Sequence, residues 1–135
     1  MVALLLVLLA APLAAGGCQE SSTSGFTDHG FYYEARGSGH PVVLLHGFSL
    51  DSRMWDAQTA ALASRYRMIR YDLRGHGKTT APITVPFAAH DDLRDLLDDL
   101  GIRRATLVGL SMGARVAVDF ALVYPERVAA MVLAG

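Results

Sequence analysis

The chain has 135 residues, enough for one compact domain or part of a larger one. Its 13 acidic and 12 basic side chains nearly cancel, to a net charge of −1, which removes any general electrostatic case for nucleic-acid binding. A single cysteine excludes an internal disulfide and a cysteine-rich metal centre; no metal and no cofactor is expected.

Hydrophobic residues make up 52% of the chain and crowd its start. Residues 1–17 carry no charged side chain, and the apolar run Val2–Ala11 has the length of a signal-peptide core. Pro12 and the small residues Ala14-Ala15-Gly16-Gly17 follow it. A bilayer-spanning helix wants about 20 apolar residues, more than this segment offers. Residues 1–17 therefore read as a signal peptide, with an uncleaved anchor as the alternative, and the protein is expected to be exported. Gly16-Gly17-Cys18 resembles the lipobox of bacterial lipoproteins, although Ala15 stands where that family usually has Leu. The resemblance implies that Cys18 becomes a lipidated N-terminus and attaches the protein to a membrane. Residues 18–26 are mostly small and polar and read as a flexible linker to a domain over 27–135.

The domain alternates strand and helix. Gly30–Glu34 is an aromatic strand, ended by the Gly37-Ser38-Gly39 turn. Pro41–His46 is a continuous apolar run, which suggests a strand buried on both faces. Asp51 or Ser52 can cap a helix running through Trp55 to about Ser64, with Trp55 packing it on the sheet. Met68–Asp72 is the next strand, and Arg74-Gly75-His76-Gly77 is a loop. Pro86 opens a second helix, whose Ala89, Leu93, Leu96, Leu97 and Leu100 form one apolar stripe. Its Asp91, Asp92 and Asp95 read as a solvated face near the positive end of the helix dipole, and Gly101 ends it. Ala105–Gly109 is a buried strand, Met112–Tyr124 an apolar helix stopped by Pro125, and Val128–Ala134 a further strand. This order predicts an α/β fold, a mostly parallel sheet with flanking helices.

Gly109-Leu110-Ser111-Met112-Gly113 is a G-x-S-x-G pentapeptide, weak by itself. Its setting makes it specific, because it follows a buried strand and opens a helix directly. A serine on that turn projects its hydroxyl above the sheet, and the helix N-terminus aims N–H groups at a developing oxyanion. His46-Gly47-Phe48 also follows a buried strand. Ligand sites of such sheets lie at the carboxyl ends of the strands, so both motifs share one rim.

Residues from about Phe31 to Gly135 resemble the N-terminal half of an α/β-hydrolase-fold enzyme. The resemblance rests on Val42–Phe48, Tyr71–Gly77, Leu107–Gly113 and Tyr124–Val128. Esterases, enol-lactonases and cofactor-free haloperoxidase-like enzymes are the most similar branch; the dehalogenases and epoxide hydrolases of the fold use Asp at the elbow. The resemblance implies that Ser111 is the nucleophile, acting on a small-molecule acyl substrate such as an ester or lactone. It implies that the backbone N–H groups of Phe48 and Met112 form the oxyanion hole. It further implies that His46, Asp72, Arg74 and His76 are structural residues of the rim.

In this fold the triad runs Ser, Asp or Glu, His. All five histidines precede Ser111, and only Asp119 and Glu126 follow it among the carboxylates. The expectation is a truncated serine hydrolase whose base, and with it the acid, lies outside this chain, inactive by itself. A non-catalytic binding protein on the same scaffold is the alternative. For the leader, mass spectrometry of the N-terminal peptide from the native host is expected to find a lipid-modified Cys18. An unmodified Met1 or a cleavage site beyond Cys18 would refute that expectation.

Overall fold

The structure, a computed structural model, describes residues 21–135. The expected leader and Cys18 lie outside the described residues. Within them no helix is long and apolar enough to cross a membrane.

Six strands form one sheet in the order β1-β2-β4-β3-β5-β6: β1 (Ser22–Phe26), β2 (Tyr32–Arg36), β3 (Pro41–Leu45), β4 (Arg67–Tyr71), β5 (Ala105–Leu110) and β6 (Val128–Ala134). Strands β4, β3, β5 and β6 run parallel, and β1 and β2 extend the sheet antiparallel. The stretch expected to be a flexible linker is thus corrected at its C-terminal part: β1 pairs with β2 from Ser22↔Arg36 to Phe26↔Tyr32. Small polar residues there serve an exposed edge strand, which a composition argument reads as a tether. The start of β2 moves two residues on from the expected Gly30, because Gly30, at φ 84°, closes a turn by donating its N–H to Thr27.

Strand β3 shows why its sequence is apolar throughout. Val42 and Leu44 enter one core with Trp55, Ala63 and Met68. Val43 and Leu45 enter the other with Ile69, Leu93, Leu107 and Phe120. The first face is covered by a 3-10 turn (Ser52–Trp55) leading into α1 (Asp56–Leu62). The second is covered by α2 (Ala89–Asp99) and α3 (Met112–Val123). Asp51 caps the 3-10 turn by accepting from the Arg53 N–H at 2.9 Å. The Arg53 guanidinium, which also bonds it, and that N–H hold the Asp51 carboxyl down to about 2.

Helix α2 begins at Ala89 and not at Pro86; Ala88 is extended, and its carbonyl accepts from the Asp91 and Asp92 N–H groups. It ends as expected at Gly101. There Gly101, at φ 65°, donates to Asp98 and Ile102 donates to Leu97, so Ile102 folds back onto buried Leu97. Helix α3 buries one stripe, Gly113, Val116, Ala117 and Phe120, and leaves Leu122 and Val123 exposed.

The backbone comes very close to itself where α3 starts. A Cβ on Gly113 would sit 2.2 Å from the Leu45 carbonyl oxygen, and one on Gly109 would sit 2.5 Å from the Ala114 nitrogen. Both neighbours are backbone and cannot swing away. Gly113→Ala is expected to lower the unfolding free energy by about 3 kcal/mol through overpacking, read from urea denaturation midpoints. Gly25→Ala, which meets nothing within 4 Å, is the control and should stay within about 0.5 kcal/mol.

Candidate active site

Two segments leave the sheet side by side. Leu45 pairs with Gly109 in the parallel β3–β5 ladder, so His46-Gly47-Phe48 and Leu110-Ser111 emerge at the same level. A Cβ on Gly47 would lie 3.5 Å from the Leu110 side chain. Ser111 occupies the turn between β5 and α3 with φ 51° and ψ −109°. Ser49, just past Phe48, has φ 61°, and among the described residues these are the two non-glycine positions with positive φ. Both strained residues therefore sit on the rim that the sequence marks for chemistry.

The Ser111 N–H donates to the Ala134 carbonyl of β6 at 2.8 Å, and the Ser111 carbonyl accepts from Arg115 at 3.0 Å. The turn is thus held from both sides while the residue stays exposed. Met112 is the first residue of α3, so its N–H has no carbonyl four residues back inside the helix. Phe48, 72% exposed, lies in the turn closed by the Leu50 N–H donating to Gly47, with its ring edge-on to His76. The structure brings Ser111, Met112 and Phe48 to one rim, as the motifs imply.

His46 is fully buried. Its Nε2 accepts from the Leu73 N–H at 3.0 Å, so Nδ1 carries the proton and donates to the Gly47 carbonyl at 2.8 Å. It ties the end of β3 to the loop after β4. Asp72 braces the same loop: its carboxylate accepts from the Ser52 and Lys78 N–H groups, both at 2.8 Å. Gly77 must lack a Cβ, which would fall 2.0 Å from that carboxylate.

Arg74 donates to Asp92 through Nε at 2.8 Å and Nη2 at 2.6 Å, and Nη1 donates to the Pro82 carbonyl. Asp92 is buried, so the expectation of a wholly solvated acidic face fails at this residue. Its place in the sequence carried the signal. Asp92 stands three residues after Ala89 and four before Leu96, inside the apolar stripe, and a carboxylate there needs a partner.

No histidine bonds the Ser111 hydroxyl among the described residues. His29 bonds Asp99 at 2.8 Å and His40 bonds Thr106 at 2.9 Å, both away from Ser111. His76 bonds the Arg74 carbonyl at 3.1 Å, and His90 lies against Asp91 and the Tyr124 ring. Asp119 pairs with Arg115 along α3, and Glu126 is exposed beyond its end. Neither carboxylate reaches the rim.

Residues 40–135 match the family described as alpha/beta hydrolase fold. The chain is 38% identical to an esterase from Thermogutta terrifontis, with a TM-score of 0.72 over 84% of this chain and 44% of that one. It is 35% identical to Est816, described as an N-acyl homoserine lactone degrading enzyme, with a TM-score of 0.72 over 76% of this chain and 40% of that one. It is 38% identical over 109 residues to epoxide hydrolase 4 of Homo sapiens, covering 76% of this chain and 30% of the relative. The chain thus spans less than half the length of these relatives.

Burial pushes the His46 imidazole below its ordinary value of 6.5. Between that lowered value and 6.5 the folded chain binds fewer protons at His46 than the unfolded chain does. Its contribution to stability is therefore present above pH 6.5 and is lost as the pH falls. An NMR titration is expected to show His46 still neutral at a pH where a free imidazole is half protonated; a midpoint at or above 6.5 would contradict the assignment.

Proposed function

The chain belongs to the α/β-hydrolase-fold family, and from that premise we propose that it carries the nucleophile and oxyanion hole of a serine hydrolase acting on ester, lactone or related acyl substrates. The observation that carries the reading is Ser111 itself: exposed, at φ 51°, between a strand end and the free N–H groups of a helix.

The Ser111 Oγ attacks the acyl carbon, its proton passes to a base, and the carbonyl electron pair moves onto oxygen. The N–H groups of Met112 and Phe48 receive that oxyanion. Collapse of the intermediate re-forms the carbonyl and breaks the bond to the leaving oxygen, which takes the proton. Water then repeats the sequence on the acyl-enzyme. That none of the five histidines bonds the Ser111 hydroxyl supports a base from outside these 135 residues. It also supports an absence of turnover in this chain by itself.

Serine at the elbow favours acyl over epoxide chemistry, although an epoxide hydrolase is among the relatives. Attack of a hydroxyl on an acyl carbon gives an ester that water can cleave. Attack on an epoxide would give an ether, which water does not cleave at neutral pH.

In the intact protein a fluorophosphonate is expected to label the peptide containing Ser111. Ser111→Ala should lower kcat at least about ten-thousandfold with unchanged folding. Equal hydrolysis by the folded Ser111→Ala protein would refute the reading.

A further inference from the structure

The register of the sheet separates its two ends. One rung of paired residues crosses it, from Ser22 through Arg36, Met68, Val42 and Thr106 to Ala130. Ser111 stands five residues further along the chain than Thr106, about 16 Å away at strand spacing. On this rung or just before it lie six of the 12 basic residues: Arg36, Arg65, Arg67, Arg103, Arg104 and Arg127. Their loops form one continuous rim. The turn at Gly37 lies against the carbonyls of Ala63 and Tyr66, which leave no room for a Cβ. The Arg67 N–H donates to the His40 carbonyl at 3.1 Å, and the His40 ring bonds the Thr106 hydroxyl at 2.9 Å. Arg127 Nε donates to the Arg103 carbonyl at 2.6 Å, and Arg104 Nε to the Val128 carbonyl at 3.2 Å.

Charge is one-sided on this rim. The carboxylates in the segments leading into β4, β5 and β6 are Asp98, Asp99 and Glu126. Asp98 is taken by Arg127 at 2.7 Å and Asp99 by His29 at 2.8 Å. Arg65, Arg103 and Arg104 are exposed and have no carboxylate partner among the described residues. At the Ser111 end, by contrast, Arg53 is paired with Asp51 and Arg74 with Asp92. Leu62, exposed at the end of α1, adds an apolar contact that a lipid boundary accepts and a nucleic-acid phosphate does not. The chain also enters at this rim. The Gly37 N–H donates to the Ser21 carbonyl at 2.9 Å, and the Ser21 hydroxyl donates to the Gly37 carbonyl at 3.0 Å. Cys18 stands three positions before Ser21, a reach of at most about 11 Å. A lipid on Cys18 would hold this rim, not the Ser111 end, at a bilayer surface.

We propose that the arginine rim docks on an anionic phospholipid surface, its guanidinium groups meeting the headgroup phosphates, so that Ser111 faces away from the membrane. Clusters of about four to eight basic residues next to a membrane attachment bind anionic lipid in this way. The charge asymmetry stands without a lipid on Cys18, and it does not depend on the chemistry at Ser111.

The test mixes the intact protein with vesicles of phosphatidylcholine alone, or of phosphatidylcholine and phosphatidylglycerol in equal parts. Its arginines are then modified with phenylglyoxal and read by mass spectrometry. On the anionic vesicles Arg65, Arg103 and Arg104 are expected to react about tenfold more slowly than in solution. Arg53 and Arg115, whose side chains are 78% and 81% exposed at the other end, should react as in solution. Neutral vesicles should give no protection, and high salt should abolish it. Arg65→Gln, Arg103→Gln and Arg104→Gln together should weaken docking about a hundredfold, about fivefold per charge. That loss is read as restored reactivity at Arg36, with thermal unfolding and fluorophosphonate labelling of Ser111 unchanged. The proposal is overturned if neutral vesicles protect these arginines equally, if Arg53 and Arg115 are protected with them, or if the anionic vesicles protect none. Protection by a DNA duplex but not by vesicles would assign the rim to nucleic acid and overturn it as well. Absence of fluorophosphonate labelling in the unsubstituted protein would refute the hydrolase reading and leave the docking result as it stands.

Discussion

Helix α3 starts in contact with the backbone of β3, and most of the site follows from that contact. With Gly113 against the Leu45 carbonyl and Gly109 against the first turn of the helix, the chain must reverse within two residues. The residue in between, Ser111, is driven to positive φ, a conformation that costs a non-glycine residue about 1–3 kcal/mol. The Ser111 N–H bond to Ala134 and the burial of Val116, Ala117 and Phe120 offset that cost. The same contact sets the N–H groups of α3 beside the segment that carries Phe48.

Around that contact the rim is braced by polar groups whose capacity is used up. His46 is held as one tautomer by the Leu73 N–H and the Gly47 carbonyl. Asp72 accepts from two backbone amides, and Arg74 and Asp92 form a paired, largely buried bridge from the loop to α2. Removing one member of such a set leaves the other buried and unpaired, which is more costly than never having the pair. Satisfied groups have no bonding left for a substrate. The Tyr71 hydroxyl differs from these groups in having no hydrogen-bond partner, but it is wholly enclosed.

The elements and the location of the elbow were legible in the chain because they are written in local patterns. The doubly buried β3 shows as an unbroken apolar run, α2 as a stripe at helical spacing, and its end as Gly101. The motif at 109–113 declares its turn through two glycines that flank a serine. Where local pattern misled, a distant partner was the reason. Strand β1 is polar and has no apolar alternation, and it exists because β2 offers it a ladder. The stripe position of Asp92 marks it for burial, but its partner, Arg74, comes from a loop 18 residues earlier, which spacing along α2 does not show.

The sequence by itself determined the α/β alternation and the strand-turn-helix setting of Ser111, since each depends on residues within a few positions of one another; the pairing of β3 with β5 is what sets Phe48 and Met112 on one rim. Only the tertiary structure decided which polar groups are spent and which are free. Whether His46 is a neutral brace, whether Asp92 is paired and whether the Tyr71 hydroxyl is unpartnered all depend on atoms brought together across tens of residues. One-dimensional spacing carries no measure of that distance or of the water excluded along with it.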